Sequence, residues 1–299
     1  MIDCVLIIVA YRSGTDLPAL IESVPAAVGG RSWHAIVVNN DTSDDIAPLL
    51  APYTRVTLVN ANGNLGYSGG LNLGLRSAPE SRFIAFLNPD LLLDPGSLDA
   101  LAGAAGMGAV VAAVPVILDA EGRQHPSLRR EPTILGSLGE ALFGDRWPTR
   151  PLWLTEVLRG EIRYSRPASI DWATGAALLV RTETIGRVGD WDAARFFLYS
   201  EETDYCRRIR ELGGVIAFTP AAVVRHRGAG SGSSPRLDAL LEVNKVRYFA
   251  KWHGRASTAV FAAVSLLHSG LRSFRPSGRL ALTAILSRGA RDGLPGGVR

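Results

Sequence analysis

The stretch Phe83-Ile84-Ala85-Phe86-Leu87-Asn88-Pro89-Asp90 decides how the chain is built. An apolar run rich in aromatic and β-branched residues suits a short buried strand. Asn88-Pro89-Asp90 then stops it, because proline cannot donate to a ladder and Asn and Asp favour turns. A strand apolar on both faces belongs inside a parallel sheet covered on both sides. Towards the N-terminus, Val5–Ala10, Ala35–Val38 and Val56–Val59 read as strands of the same kind. They alternate with the helical stretches Leu17–Val24, Asp45–Ala51 and Gly69–Arg76. That alternation predicts βαβ units and a doubly wound, mostly parallel α/β sheet. Ligands of such sheets bind at the C-terminal strand ends, and Tyr11, Asn39, Asn62 and Asn88 stand at or just past those ends.

Beyond Asp90 the reading continues with a helix over Gly96–Gly106 and a strand over Ala109–Ile117. Residues 119–168 lose clear period and are rich in Pro, Arg and Trp; an irregular stretch this long suits an insertion packed over a functional cleft. Asp171–Val180 reads as a strand, Asp204–Leu212 as a helix and Val215–Phe218 as a strand. Gly228–Ser234 is Gly/Ser-rich and expected to be a flexible loop. Helices are expected over Leu237–Trp252 and Thr258–Leu271, and the Gly- and Pro-containing end is expected to be disordered. There is no internal repeat. These readings divide the chain at residue 235: a body over 1–235, with halves 1–118 and 169–235 around the insertion 119–168, and a helical extension over 236–299.

The densest chemistry lies in Phe197-Leu198-Tyr199-Ser200-Glu201-Glu202-Thr203-Asp204-Tyr205-Cys206-Arg207-Arg208. Three carboxylates fall within four positions, and such proximity costs free energy unless a cation, a proton or a helix N-terminus answers it. The plain reading makes Ser200 an N-cap with acids in the first helical turn. Two further features argue against leaving it there: the Asn-Pro-Asp turn, and Val223-Val224-Arg225-His226, where a histidine closes a second apolar run. Separate strand ends delivering carboxylates and a histidine suit a metal-diphosphate site beside a general base.

Taken together, these motifs resemble the family 2 inverting glycosyltransferases of the GT-A fold, and in overall layout the bacterial rhamnosyltransferases among them. Asn88-Pro89-Asp90 is similar to the family's Asp-x-Asp metal motif. Gly186-Arg-Val-Gly189-Asp-Trp-Asp192 followed by Phe196-Phe197-Leu-Tyr199-Ser-Glu201-Glu202-Thr-Asp204 resembles its acceptor and base segment. Ile8-Val9-Ala10-Tyr11-Arg12-Ser13 and Val37-Val38-Asn39-Asn40-Asp41-Thr42-Ser43-Asp44 resemble its nucleotide-binding strand ends. Asn64-Leu65-Gly66-Tyr67-Ser68-Gly69-Gly70-Leu71-Asn72 resembles its Asn-x-Gly loop. The resemblance runs in the family's order from about Val5 to about Ser231.

The resemblance implies a single displacement with inversion, in which an acceptor hydroxyl gives its proton to a carboxylate while a nucleoside diphosphate leaves on Mg²⁺ or Mn²⁺. It implies Asp90 and His226 as metal ligands and Asn88 at the motif's first acidic position, where Asn brings one charge fewer. On residues alone, a lone histidine after a strand is more often structural. Glu202 falls where the family carries Asp as base, one methylene longer; Glu201 would bind acceptor hydroxyls and Asp204 would orient the helix or its arginines, with either able to take the base role. Trp172 and Gly175 match the segment lining the sugar site, although Trp172 equally suits the core. Tyr11 and Arg12 would flank the nucleobase, backbone groups of Ala10 would read its edge, and Asn39 replaces the usual acid there with Asp41 to compensate. Asn64, Gly66 and Gly70 suit close backbone approach to the nucleotide, or simply a turn and helix cap.

The resemblance thus implies a nucleotide-sugar-dependent transferase using a dTDP or UDP donor, dTDP-L-rhamnose first, on a glycan, a lipid-linked intermediate or a glycosylated metabolite. A UDP-hexose or another deoxysugar donor is the alternative. So is a catalytically silent sugar-nucleotide-binding protein, suggested by Asn88, Asn39 and Glu202 together. No Gly-x-Gly-x-x-Gly follows the first strand and there is no P-loop, which lowers dehydrogenase and kinase readings.

Composition sets the remaining bounds. A chain of 299 residues with 47% hydrophobic residues is ample for one large domain with an extension. Cys4 and Cys206 are too few for a disulfide framework and fit a reducing compartment. The segment after Met1 lacks a basic n-region, and no uncharged apolar run approaches the ~20 residues needed to span a bilayer; a cytoplasmic protein, peripheral at most at the inner face of the cell membrane, is expected. The net charge of +4 is uneven: residues 236–299 hold eleven Lys/Arg against three Asp/Glu, leaving the rest of the chain at −4. Val260, Phe261, Val264, Leu267 and Leu271 recur at helical spacing, with Arg272, Arg275 and Arg279 beyond. That pattern suits a helix lying on an anionic membrane surface, or one packed on the body or on a second copy of the chain. Nucleic acid is not expected, since no nucleic-acid fold or stacking array is present.

Overall fold

The computed structural model describes residues 1–228 and 234–297. Residues 229–233, which form most of the expected Gly/Ser loop, lie outside the described residues, as do 298–299. The chain builds β1 (Ile2–Ala10), α1 (Leu17–Ala27), β2 (Trp33–Asn39), α2 (Ala47–Leu50), β3 (Val56–Asn60), α3 (Gly66–Ser77), β4 (Ser81–Leu87), β5 (Leu91–Leu93), α4 (Ser97–Ala105) and β6 (Val110–Leu118). The middle holds β7 (Leu128–Arg129), α5 (Ile134–Leu142), α6 (Glu161–Tyr164), β8 (Ala168–Ser169), β9 (Trp172–Ala173), β10 (Ala177–Arg181), α7 (Thr182–Val188), α8 (Glu201–Glu211) and β11 (Val215–His226). Four helices close it: α9 (Pro235–Trp252), α10 (Arg255–Leu271), α11 (Pro276–Leu286) and α12 (Arg288–Asp292).

The main sheet runs β3-β2-β1-β4-β10-β6-β11-β5, with β8 on β11. β3, β2, β1 and β4 are parallel, and so are β6 and β11. Only β10, β5 and β8 run antiparallel to their partners. Successive residues of β1 enter opposite faces, Leu6 and Ile8 joining one apolar core and Val5, Ile7 and Val9 the other. This is the mixed, mostly parallel layout expected from the alternating runs.

Three expectations need correcting. Asp171–Val180 is not one strand: β9 pairs with β7 in a separate two-stranded ribbon, and β10 begins only at Ala177. Gly175 sits in the break between them. The last core strand is far longer than Val215–Phe218, because an irregularity between Thr219 and Val223 absorbs Pro220 and lets pairing with β6 resume. The chain end is not without structure: α11 and α12 follow α10, and Ala281, Ala284 and Leu294 are buried against Ala239, Leu240 and Val243 of α9. Small residues at those positions hid the packing from a hydrophobicity reading. Both cysteines are free and buried, their thiols pushed up to about 12 by burial.

The C-terminal helices are bound to the body. Lys251 Nζ lies 2.7 Å from Asp204 Oδ1, and Trp252 Nε1 donates to the same oxygen at 3.0 Å. Tyr248 donates to Glu131 at 2.5 Å. Phe249 of α9 stacks on Phe261 of α10 at 4.1 Å, and α10 packs on α5 of the insertion.

Candidate active site

Asp90 and His226 come from neighbouring antiparallel elements, since Leu91 of β5 pairs with His226 at the end of β11. His226 Nε2 stands 3.1 Å from Asp90 Oδ1 and 3.4 Å from the amide nitrogen of Asn88. A single imidazole nitrogen can donate or accept here, not both. The Asp90 side chain is only 6% exposed. Burial raises its carboxyl, but the His226 contact and the field of Arg227 outweigh that and hold it below the usual range. Arg227, next along the chain, pairs with buried Asp16 and so ties the end of β11 to the loop before α1.

Glu201 and Glu202 open α8. The two residues before them, Tyr199 and Ser200, have φ of 69° and 68°, a left-handed pair that non-glycine residues seldom adopt. Ser200 does occupy the N-cap position, but its side chain makes no capping bond. Asn244 of α9 holds this turn by donating to the carbonyls of Leu198 (2.8 Å) and Tyr199 (3.3 Å). Glu201 is buried, and Oε2 of each glutamate is sealed from solvent without a hydrogen-bond partner. Burial and the neighbouring Glu202 push Glu201 well up from the ordinary carboxylate value. Burial raises Glu202 too, against backbone hydrogen bonds and the positive field of Arg129. Gly175 lies against Glu202, a Cβ built there falling 3.5 Å from the Glu202 Cβ. Tyr67 donates to the Gly175 carbonyl at 3.3 Å; burial and the fields of Glu201, Glu202 and Asp90 raise its hydroxyl. One region therefore gathers Asn88, Asp90 and His226 with Glu201, Glu202, Tyr67 and Gly175.

Asp204 does not join it. Its side chain is fully buried and held by Arg208 (2.9 Å), Lys251 and Trp252. A carboxylate so engaged fixes α8 to α9, its Oδ1 shared by Lys251 and Trp252 and its Oδ2 taken by Arg208. Trp172 is half-buried in the β7–β9 ribbon, its indole donating to the Arg130 carbonyl at 2.8 Å.

At the C-terminal ends of β1 and β2, Arg12 pairs with Asp41 at 2.8 Å and lies over the Tyr11 ring. Hydrogen bonds from Ser43 and Arg12 bring Asp41 down to about 2. The Asn39 amide donates to the Asp44 carbonyl and accepts from the Asp41 N–H, which builds the loop at the end of β2. The Ala10 carbonyl accepts from the Asn40 N–H at 2.8 Å. Asn64 accepts from Asn40 and from the Gly66 N–H. The glycines are needed for packing within the protein. A Cβ on Gly66 would fall 2.3 Å from the Phe197 carbonyl oxygen, and one on Gly70 would fall 2.6 Å from Val9.

Sequence reasoning missed Asn40, which binds Asn64, Leu65 and Gly66. The doubled asparagine at a strand end was its signal. It also missed Tyr67, Arg129 and His125; the last feels the fields of Arg129 and His226. Arg129 and His125 sit in the insertion, where no periodicity marks them.

Residues 5–159, just over half the chain, match the model for "Glycosyl transferase family 2". The chain belongs to that family, and it is a nucleotide-sugar-dependent glycosyltransferase. It is 29% identical over 243 residues to an N-acetylglucosaminyl-diphospho-decaprenol L-rhamnosyltransferase of Mycobacterium tuberculosis, covering 77% of this chain and 78% of that one. It is 26% identical over 211 residues to the low-salt glycan biosynthesis hexosyltransferase Agl10 of Haloferax volcanii, covering 70% of this chain and 62% of that one. Among solved structures it resembles GalNAc-T7 with UDP, GalNAc and Mn²⁺, with a TM-score of 0.62 at 15% identity over 99% of this chain and 58% of that chain. It also resembles S. aureus TarS 1-349 in complex with UDP-GlcNAc, with a TM-score of 0.56 at 14% identity over 98% and 82%. The GT-A fold is thereby established.

Proposed function

We propose that this chain transfers L-rhamnose from dTDP-L-rhamnose, with inversion, to a hydroxyl of a lipid-linked diphosphate sugar. The observation that carries this reading is the approach of Asp90 and His226 beside Glu202 in a chain 29% identical to a rhamnosyltransferase of such an acceptor. In this reading Glu202 accepts the proton of the acceptor hydroxyl as the hydroxyl oxygen bonds to the anomeric carbon and the bond to the donor diphosphate breaks. Its raised basicity suits a proton acceptor working near neutral pH. Tyr67 and Gly175 fix the wall against which Glu202 rests, and the Asn244-held turn sets where α8 begins. Arg12, Tyr11 and Asp41 supply the nucleotide end.

The donor set fits a divalent cation. A carboxylate oxygen and an imidazole nitrogen face one another, and a cation shared between them would resolve the contested role of Nε2. Asp90 and His226 would hold Mg²⁺ or Mn²⁺, which neutralises charge on a leaving diphosphate. Among the described residues no group of three His, Cys, Asp or Glu side chains converges, so further ligands would come from phosphate oxygens and water.

Among the described residues no helix is long and apolar enough to cross a membrane. A lipid-linked acceptor would then be met at the bilayer surface. Leu267, Leu271 and Phe274 are exposed beside Arg272, Arg275 and Arg279, which supports a peripheral contact there. The test of the donor assignment is a thermal-shift panel of dTDP, UDP and GDP with and without Mn²⁺. Metal-dependent stabilisation greatest with dTDP is expected; greater stabilisation by UDP would replace rhamnose with a UDP-hexose.

A further inference from the structure

A second cleft, of about 380 Å³, lies beyond Phe197 from the Asn64–Gly66 loop. Phe197 separates the two: Gly66 packs on one part of it, and Gly296 of the C-terminal turn approaches its Cβ and ring. The cleft walls are Ala193, Ala194, Phe197 and Leu240, and its charged lining is Arg195 and Arg247. Among the described residues no carboxylate lines it. Among the described residues Arg195 meets the carboxylate of Asp192, but Asp192 Oδ2 is held by Lys251 at 2.8 Å, leaving Arg195 a looser contact at 3.4 Å. Among the described residues Arg247 makes one side-chain hydrogen bond, donating to Asn244 Oδ1 at 3.3 Å. Burial and the fields of Arg195 and Arg291 disfavour its positive charge. Two guanidinium groups answered, among the described residues, by one carboxylate that Lys251 already holds favour an anion.

We propose that Arg195 and Arg247 form a binding site for a phosphate or diphosphate ester, separate from the nucleotide site. Guanidinium forks match phosphate oxygens two at a time, and the apolar wall of Phe197 and Leu240 suits the organic part of such an ester. The site is wired to the chemistry. Asn244, which accepts from Arg247, donates to the Leu198 and Tyr199 carbonyls, one residue ahead of Glu201 and Glu202. An anion drawing on Arg247 therefore acts on the left-handed turn that places both acids. The natural source is the diphosphate of the lipid-linked acceptor, an assignment that rests on the proposed function; a free phosphate is the other source.

The test uses the full chain with its nucleotide site filled by saturating dTDP and Mn²⁺, titrated calorimetrically with inorganic pyrophosphate. Saturable binding is expected, weakened tenfold or more in an Arg195→Gln/Arg247→Gln variant whose dTDP affinity and melting temperature stay at the wild-type level. Arg247→Lys, which keeps the charge, should recover part of the affinity and guards against a folding defect in the double variant. Absence of pyrophosphate binding by wild type, or equal binding by wild type and the double variant, overturns the site. Acceptor kinetics then identify the source. If the double substitution raises KM tenfold for a diphosphate-bearing acceptor and leaves a phosphate-free glycoside unchanged, the acceptor occupies the cleft. Equal effects on both acceptors, with pyrophosphate binding intact in wild type, assign the cleft to a free phosphate. Failure of the proposed transfer reaction would appear separately, as absent turnover with pyrophosphate binding preserved.

Discussion

His226 Nε2 and Asp90 Oδ1 lie 3.1 Å apart across 136 residues of sequence. The contact exists because β11 resumes its pairing with β6 at Val223 and ends against β5. Removing either side chain should therefore act on metal-dependent binding. Asp90→Ala and His226→Ala are each expected to weaken dTDP binding in Mn²⁺ by tenfold or more, with little change in EDTA. Calorimetric titration in both buffers checks this, and unchanged metal dependence in both variants would move the cation elsewhere.

Asp204 should prove to be a stability residue. Asp204→Ala leaves Arg208 and Lys251 without their fully buried partner, and breaking such a pair costs about 3 kcal/mol or more. Urea unfolding should show that loss. Full stability with abolished turnover would instead return Asp204 to the chemistry.

Glu201 carries a pH signature. Its carboxyl is raised in the folded state, so the native protein holds that proton more tightly than the unfolded chain. Stability from this group is present at low pH and falls as pH rises through and above the ordinary glutamate range. A Glu201→Gln variant lacks the effect. Its melting temperature should exceed that of wild type at pH 8, with the gap closing towards pH 5. A gap that widens on acidification would contradict the raised carboxyl.

The extension makes a separable prediction. Leu267→Ser/Leu271→Ser/Phe274→Ser removes exposed apolar groups and should leave the melting temperature near wild type while reducing co-sedimentation with anionic vesicles. Equal sedimentation of both proteins, or none by either, would mean that α10 serves packing on α5 and α9 alone.

Much of this architecture was legible in the sequence because buried parallel strands leave continuous apolar runs. The strand ends at Ala10 and Leu87 followed from that, the reading Ala35–Val38 stopped one residue short of Asn39, and the acid pair Glu201-Glu202 stood out separately as clustered carboxylates. What was not legible has physical causes. The break at Gly175 lies inside an apolar run with no breaker besides one glycine. The packing of α11 uses Ala281 and Ala284, whose burial leaves little hydrophobic signal. Gly66 and Gly70 resembled ligand-contacting glycines, yet Phe197 and Val9 are the groups that crowd them. The positive field of Arg129 acts on Glu202 only through the tertiary placement of the β7–β9 ribbon.

In the proposed reaction Glu202 takes the acceptor proton. Glu202→Gln keeps the side chain's size and removes its basicity, and lost base catalysis is worth on the order of 10² to 10⁴ in rate. Single-turnover transfer from dTDP-L-rhamnose, measured beside dTDP affinity in Mn²⁺, tests it most directly. A rate loss of that order with dTDP affinity nearly intact is expected; near-normal transfer by Glu202→Gln would move the base to Glu201.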